Sequence, residues 1–133
     1  MNIKLFVNIP VKDLAATKDF FAKLGFGFNP QFTNDDAACL VLGGDNYFML
    51  LKEEFFKNFT KKPIADSSIG TEAIFSIMVE SREKVDELAD KAMAAGAKPS
   101  MPPMEMEGMY GRSFEDLDGH LWEVGYMDPS MVK

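Results

Sequence analysis

Glu123 and His120 are the residues of this chain best suited to proton or metal chemistry, and they stand three apart in "EDLDGHLWEVGYMD", residues 115–128. A carboxylate can move a proton, accept a hydrogen bond or ligate a cation; so can an imidazole. A catalytic divalent metal usually takes about three protein ligands and keeps one open position. His120 is the only histidine in the chain, so no site of two or three histidines can form within one subunit. A set made of carboxylates stays open, with Glu123 joined by Glu53, Glu54, Glu105 or Glu107. The single cysteine, Cys39, excludes an internal disulfide and any zinc cluster of several thiolates.

Strand periodicity separates the two residues. "DLDG" reads as a turn and "HLWEVGYM" as a strand, so His120, Trp122 and Val124 share one face and Glu123 takes the other. His120 is then expected to be structural, bonding a backbone carbonyl, Asp116 or Asp118. A carboxylate facing an apolar interior is costly unless it is paired. Glu123 is therefore a general base, a ligand's hydrogen-bond acceptor, the partner of Arg112, or an internal pair with no further role. Tyr110 and Arg112 are two apart and share a face of their strand. On an inner face they would suit an anionic or carbonyl ligand; on the outer face they are surface residues. Met101, Met104, Met106 and Met109 fall within "SMPPMEMEGMYG". They suit an adaptable ligand-lining loop, or an imperfect core under a proline-broken strand.

These residues need elements to hold them. "IKLFVNIPV" alternates Leu5, Val7, Ile9 and Val11 onto one face, with Phe6, Asn8 and Pro10 on the other. Asp13 can cap a helix carrying Leu14, Phe20, Phe21 and Leu24, and Gly25 stops it. "FGFNPQF", "ACLVL" and "YFMLL" read as strands, the last two joined by the turn "GGDN". The order β-α-β-β-β then recurs. "AIFSIMV" is a strand, and Ser81 caps a helix of Val85, Leu88, Ala92 and Ala95 that Gly96 stops. "KPSMPPMEM" is an edge strand broken by Pro102 and Pro103, followed by "MYGRSFE" and the closing strand. Val11 and Val79 are equivalent, 79 − 11 = 68 residues apart. The fold class expected is α+β, with two βαβββ modules in tandem (one over 1–60, a linker over 57–70, the second over 71–128) curving a mixed sheet around a central cavity. Phe6 and Asn8 would line that cavity, and by pseudosymmetry so would Ile74 and Ser76.

With these elements placed, "VNIPVKDLAATKDFFAKLGF" resembles the first βα unit of the vicinal oxygen chelate superfamily, and "FEDLDGHLWEVGYMD" resembles its final hairpin. The superfamily includes glyoxalase I, ring-cleaving dioxygenases, fosfomycin-modifying enzymes and bleomycin-sequestering proteins. "NPQFT", "FFKNFTKKPIAD" and "MYGRSFEDLDGH" are similar to the small bacterial branch labelled "predicted lactoylglutathione lyase". The resemblance implies four equivalent inward positions that supply His or Glu ligands in metal-dependent members. Here they fall on Phe6, on Leu50 or within a residue of it, on Ile74 and on Glu123. Only Glu123 carries a ligand side chain there, which implies no metal at those positions and no other cofactor. The resemblance also implies a homodimer.

The expected function is binding, or metal-independent transformation, of a small organic molecule in the cavity between the modules. Glu123 would be the catalytic group, with Phe6, Asn8, Leu50, Ile74, Ser76, Tyr110 and Arg112 around the ligand. The alternative is a metal-dependent lyase of the glyoxalase I type. A net charge of −7 disfavours nucleic acid as a partner. No apolar run of about 18 residues could span a bilayer. A reducing, cytoplasmic setting is expected. "KEEFFKNFTKKPIAD" reads either as a lid whose Lys57, Lys61 and Lys62 attract an anion, or as a solvated linker with its aromatics tucked inward.

Overall fold

A computed structural model describes residues 1–131. Two compact units divide the chain, the first ending at Ala65 and the second beginning at Asp66.

In the first unit, β1 (Leu5–Val11) leads to α1 (Leu14–Lys23), followed by β2 (Gly27–Asn29), β3 (Ala37–Gly43) and β4 (Asn46–Lys52). The sheet order is β1-β4-β3-β2, with β1 parallel to β4 and the other pairs antiparallel. Asp13 caps α1 by accepting from the Ala16 N–H at 3.0 Å. Gly25 ends the helix turn at φ 102°, a conformation L side chains avoid. Phe20 and Phe21 are nearly fully buried, each worth about 1.5–3 kcal/mol of apolar burial. Ile9, Val11, Leu40, Phe48 and Leu50 complete this core, whereas Leu5, at the other end of β1, stays exposed. "FGFNPQF" is a strand only to Asn29. Pro30–Phe32 then forms a 3-10 turn, because Asn29 accepts from the Gln31 N–H and Pro30 cannot donate to a ladder. After β4 the chain forms a short helix, α2 (Glu53–Phe56), and a 3-10 turn, Lys57–Phe59. Phe55 and Phe59 meet edge to face at 5.3 Å, and Phe59 remains exposed.

The second unit repeats the pattern. β5 (Ile74–Met78) and α3 (Arg82–Ala94) precede two short edge strands, β6 (Lys98–Pro99) and β7 (Met104–Met106), and the hairpin β8 (Met109–Glu115) and β9 (Leu121–Met127). β5 runs parallel to β9, β9 pairs with β8, and both β6 and β7 lie along β8. The edge strand is interrupted where Pro102 and Pro103 remove two donors. Ser81 caps α3 through the Lys84 N–H at 3.1 Å, and Gly96 closes it at φ 112°. Val85, Leu88, Ala89 and Ala92 from α3 are buried, as are Phe114, Trp122 and Val124 from the hairpin. The fold is thus mixed α+β with two mixed sheets, each opening with a strand parallel to its last. Among the described residues no helix is long and apolar enough to cross a membrane.

Candidate functional site

Alternation along β8 and β9 fixes the two faces of the second sheet. Trp122, Val124 and Phe114 turn towards α3, so Glu123 and its register partners turn away. Those partners are Ser76 on β5 and Ser113 on β8. The Ser76 hydroxyl donates to Glu123 Oε1 at 2.6 Å. Ser113 is occupied by the loop ahead of β7, its Oγ accepting from the Met101 N–H at 3.0 Å. Around this row lies a hollow of about 330 Å³, within the size range of small-ligand sites. Met78, Met101, Met104, Met109 and Met127 line it. Its floor is nearly bare where Gly111 pairs with Gly125. A Cβ on Gly125 would lie 3.1 Å from Met78 Sδ, and one on Gly111 would lie 3.6 Å from Met104 Cε.

Tyr110 and Arg112 are also at the hollow's edge, but their polar ends point elsewhere. Arg112 pairs with Val124, which faces α3. Its Nη1 reaches Asp86 at 3.2 Å and Asp90 at 2.8 Å, both on α3. The Tyr110 hydroxyl donates to Asp86, and that bond, with burial, pushes the phenol's pKa up. The same bond is the main reason the Asp86 carboxyl is held below its ordinary value; burial opposes it and Arg112 assists. Arg82 stacks over the Tyr110 ring at 4.2 Å and pairs with Glu105 at 2.9 Å. Of the two faces the sequence left open for Tyr110 and Arg112, their polar ends take the helix face, where two aspartates hold them. Asp86 and Asp90 were not singled out from the sequence. Their i,i+4 spacing on α3 was the available signal.

Leu50, placed from the resemblance to within a residue, turns to the core. It is fully buried and in register with Ile9 and Ala38, also buried. Its neighbour Met49 pairs with Asn8 as Glu123 pairs with Ser76, so Met49 holds on the first sheet the register position that Glu123 holds on the second. Phe6 and Ile74 are both exposed, and Phe6 stacks on Tyr47 at 4.6 Å between centroids. Asn8 is exposed and donates to the Phe6 carbonyl at 3.4 Å. The chain therefore places Ser76, Ile74 and Glu123 on one sheet, and Phe6 and Asn8 on the other.

His120 precedes β9 and belongs to a turn organised by Asp116. Asp116 is buried and accepts three N–H groups at 3.0 Å: those of Asp118 and His120 on Oδ1, and the Trp122 indole on Oδ2. Burial pushes the Asp116 carboxyl up, while the His120 charge and these bonds pull the other way. Asp116, Asp118 and His120 bring ligand atoms within 4.8 Å of one another, and among the described residues this is the group that could hold a metal ion. Asp116 already spends both oxygens on N–H donors, which weakens it as a ligand.

Residues 5–124 match the family model described as Glyoxalase/Bleomycin resistance protein/Dioxygenase superfamily. No curated protein matches the chain. Among solved structures, a hypothetical protein from S. aureus is similar at a TM-score of 0.80 and 27% identity, over 95% of this chain and 94% of that one. A glyoxalase-related enzyme from Fulvimarina pelagi gives 0.78 at 18% identity, over 95% and 88%. The fosfomycin resistance protein FosX from Listeria monocytogenes gives 0.71 at 18%, over 98% and 97%. At such identities the last two likenesses concern the fold alone.

Proposed function

Because the chain belongs to the Glyoxalase/Bleomycin resistance protein/Dioxygenase superfamily, whose fold hosts several chemistries, we propose that it binds a small organic molecule beside Glu123 without a metal at the superfamily's ligand positions. The observation that carries this reading is the exposed Glu123 carboxylate in a thioether-lined hollow, bonded by the neutral hydroxyl of Ser76. Oε1 accepts the Ser76 hydrogen bond, which leaves Oε2 to accept from a ligand. Phe6 and Ile74 have no donor atoms, and Met49 offers only a soft, weak thioether. One hard oxygen ligand does not satisfy a divalent cation of the kind these enzymes use.

Glu123 is the group that can move a proton if the bound molecule is transformed. Its basic oxygen would have to lie within about 2.6–3.2 Å of the proton it takes. Among the described residues lining the hollow, no cationic side chain on the Glu123 face stands ready to hold an oxyanion, since α3 holds Arg112. Binding is therefore the activity these residues support, since chemistry that builds charge on a carbonyl oxygen needs a group to hold that oxyanion. Screening the full chain by thermal shift against small aromatic and aliphatic compounds tests this reading. A hit whose Kd rises in Glu123→Gln supports it; hits indifferent to that substitution count against the site.

The metal-dependent lyase reading gains one supporting observation, the Asp116, Asp118 and His120 group. Elemental analysis of protein purified without chelator separates the two readings. Stoichiometric nickel, zinc or iron, lost together with activity in His120→Ala, would favour the lyase.

A further inference from the structure

The charges around the hollow are unequally disposed, and that asymmetry specifies a ligand. Among the described residues, Glu123 is the only acidic one in its lining, and Arg112 the only basic one. The Arg112 guanidinium is held by Asp86 and Asp90 on the helix face of the sheet, so it does not neutralise Glu123. Ser76 gives Glu123 a hydrogen bond and no charge. The rest of the lining is mainly methionine, proline and glycine. Met78 is 56% exposed, Met101 69% and Met104 39%, so three thioethers are presented to whatever enters. Thioethers sit favourably at aromatic edges, and their unbranched chains adapt to shape. Met78 Sδ lies over Gly125, one half of the side-chain-free strip that Gly125 makes with Gly111. Met104 Cε covers Gly111 in the same way, so these two unbranched thioethers must turn aside for a ring to reach the peptide surface beneath.

We propose that the molecule taken by this hollow is an amphiphilic cation, an aromatic or cyclic monoamine whose ring lies on the Gly111–Gly125 strip and whose ammonium meets Glu123. The inference rests on the hollow being the binding site, as argued above, and adds the charge and shape of what it binds. An ammonium supplies the N–H donors that Glu123 can accept, and an ion-paired hydrogen bond is roughly twice as strong as a neutral one. An anion would meet an uncompensated carboxylate, and the overall charge of −7 adds to that bias.

Three probes of one shape decide it: 1-naphthylmethylamine, 1-naphthylmethanol and 1-naphthoate. Each is titrated into the full chain by calorimetry, with methionine methyl NMR shifts locating the site. The amine is expected to bind about tenfold more tightly than the alcohol and the carboxylate least, shifting Met78 and Met104 methyls. In Glu123→Gln the amine should fall to near the level of the alcohol, whose own affinity should drop by a smaller factor. If the alcohol or carboxylate binds as well as the amine at these methyls, the cation assignment is overturned while the binding site stands. Selectivity for the amine that survives Glu123→Gln would overturn the cation assignment in the same way. If none of the three shifts these methyls at millimolar concentration, the binding site and the cation assignment fall together.

Discussion

Asp116 is the residue with most at stake per atom. Its carboxylate is buried and serves two backbone N–H groups and the Trp122 indole at once. An asparagine there keeps one acceptor oxygen and turns an NH₂ towards a donor. We expect Asp116→Asn to destabilise the protein by about 1–3 kcal/mol, the range for leaving a buried polar group unsatisfied, seen as a lower urea midpoint by circular dichroism. Asp86 makes a pH-dependent contribution. Its folded carboxyl lies below the ordinary value of 3.8, chiefly through the Tyr110 hydroxyl. A lowered folded value gives stability that is present above the unfolded value and lost as pH falls through the folded one. The gap between wild type and Asp86→Asn should be about 1 kcal/mol near neutrality, kept small because the side chain is half exposed. It should close as the pH drops below about 3.8, and a gap that widens in acid would contradict the assignment.

At the scale of elements, the turn between β8 and β9 is the tightest joint. Gly119 sits at φ 90°, and a Cβ there would lie 2.8 Å from the Ser67 carbonyl oxygen. The Ser67 hydroxyl donates to the Asp118 carbonyl at 2.7 Å, so residue 67 is strapped to this turn. Gly119→Ala should cost about 2 kcal/mol or more, through left-handed strain plus a backbone clash. Gly27→Ala, with open space around it, should stay within about 0.5 kcal/mol on the same urea assay. Elements of this kind were legible in the sequence because their signals are local. Asp13, Gly25, Ser81 and Gly96 mark helix ends by chemistry that needs no tertiary context. Period two correctly set Glu123 apart from Trp122. It could not say which face α3 covers for Tyr110 and Arg112, because that depends on Asp86 and Asp90, more than twenty residues away. The register at Leu50 stayed open by a residue because "YFMLL" is apolar at every position, so alternation gives no face. Gly111 and Gly125, each inside a strand, carried an unread hint of close approach.

At the scale of the whole molecule, each sheet keeps large apolar side chains in solvent, notably Leu5 and Phe6 on β1 and Ile74 and Met78 on β5. The family resemblance implies a homodimer, and we propose that the second copy covers these side chains. Sedimentation velocity at micromolar concentration should give the mass of a dimer, and the double variant Phe6→Glu, Ile74→Glu should sediment as a monomer; a wild-type monomer would refute this. The chain also carries one tryptophan and one cysteine, and they lie in different units. Trp122 is wedged beside Phe75 in the second, so its emission reports on that half. Cys39 lies fully buried on β3 of the first, and burial pushes its thiol up, despite a backbone hydrogen bond at Asn29. Its rate of alkylation therefore times the opening of the other half. Nature has left two native reporters, one optical and one chemical, so the cooperativity of the duplicated halves can be measured without attaching a dye.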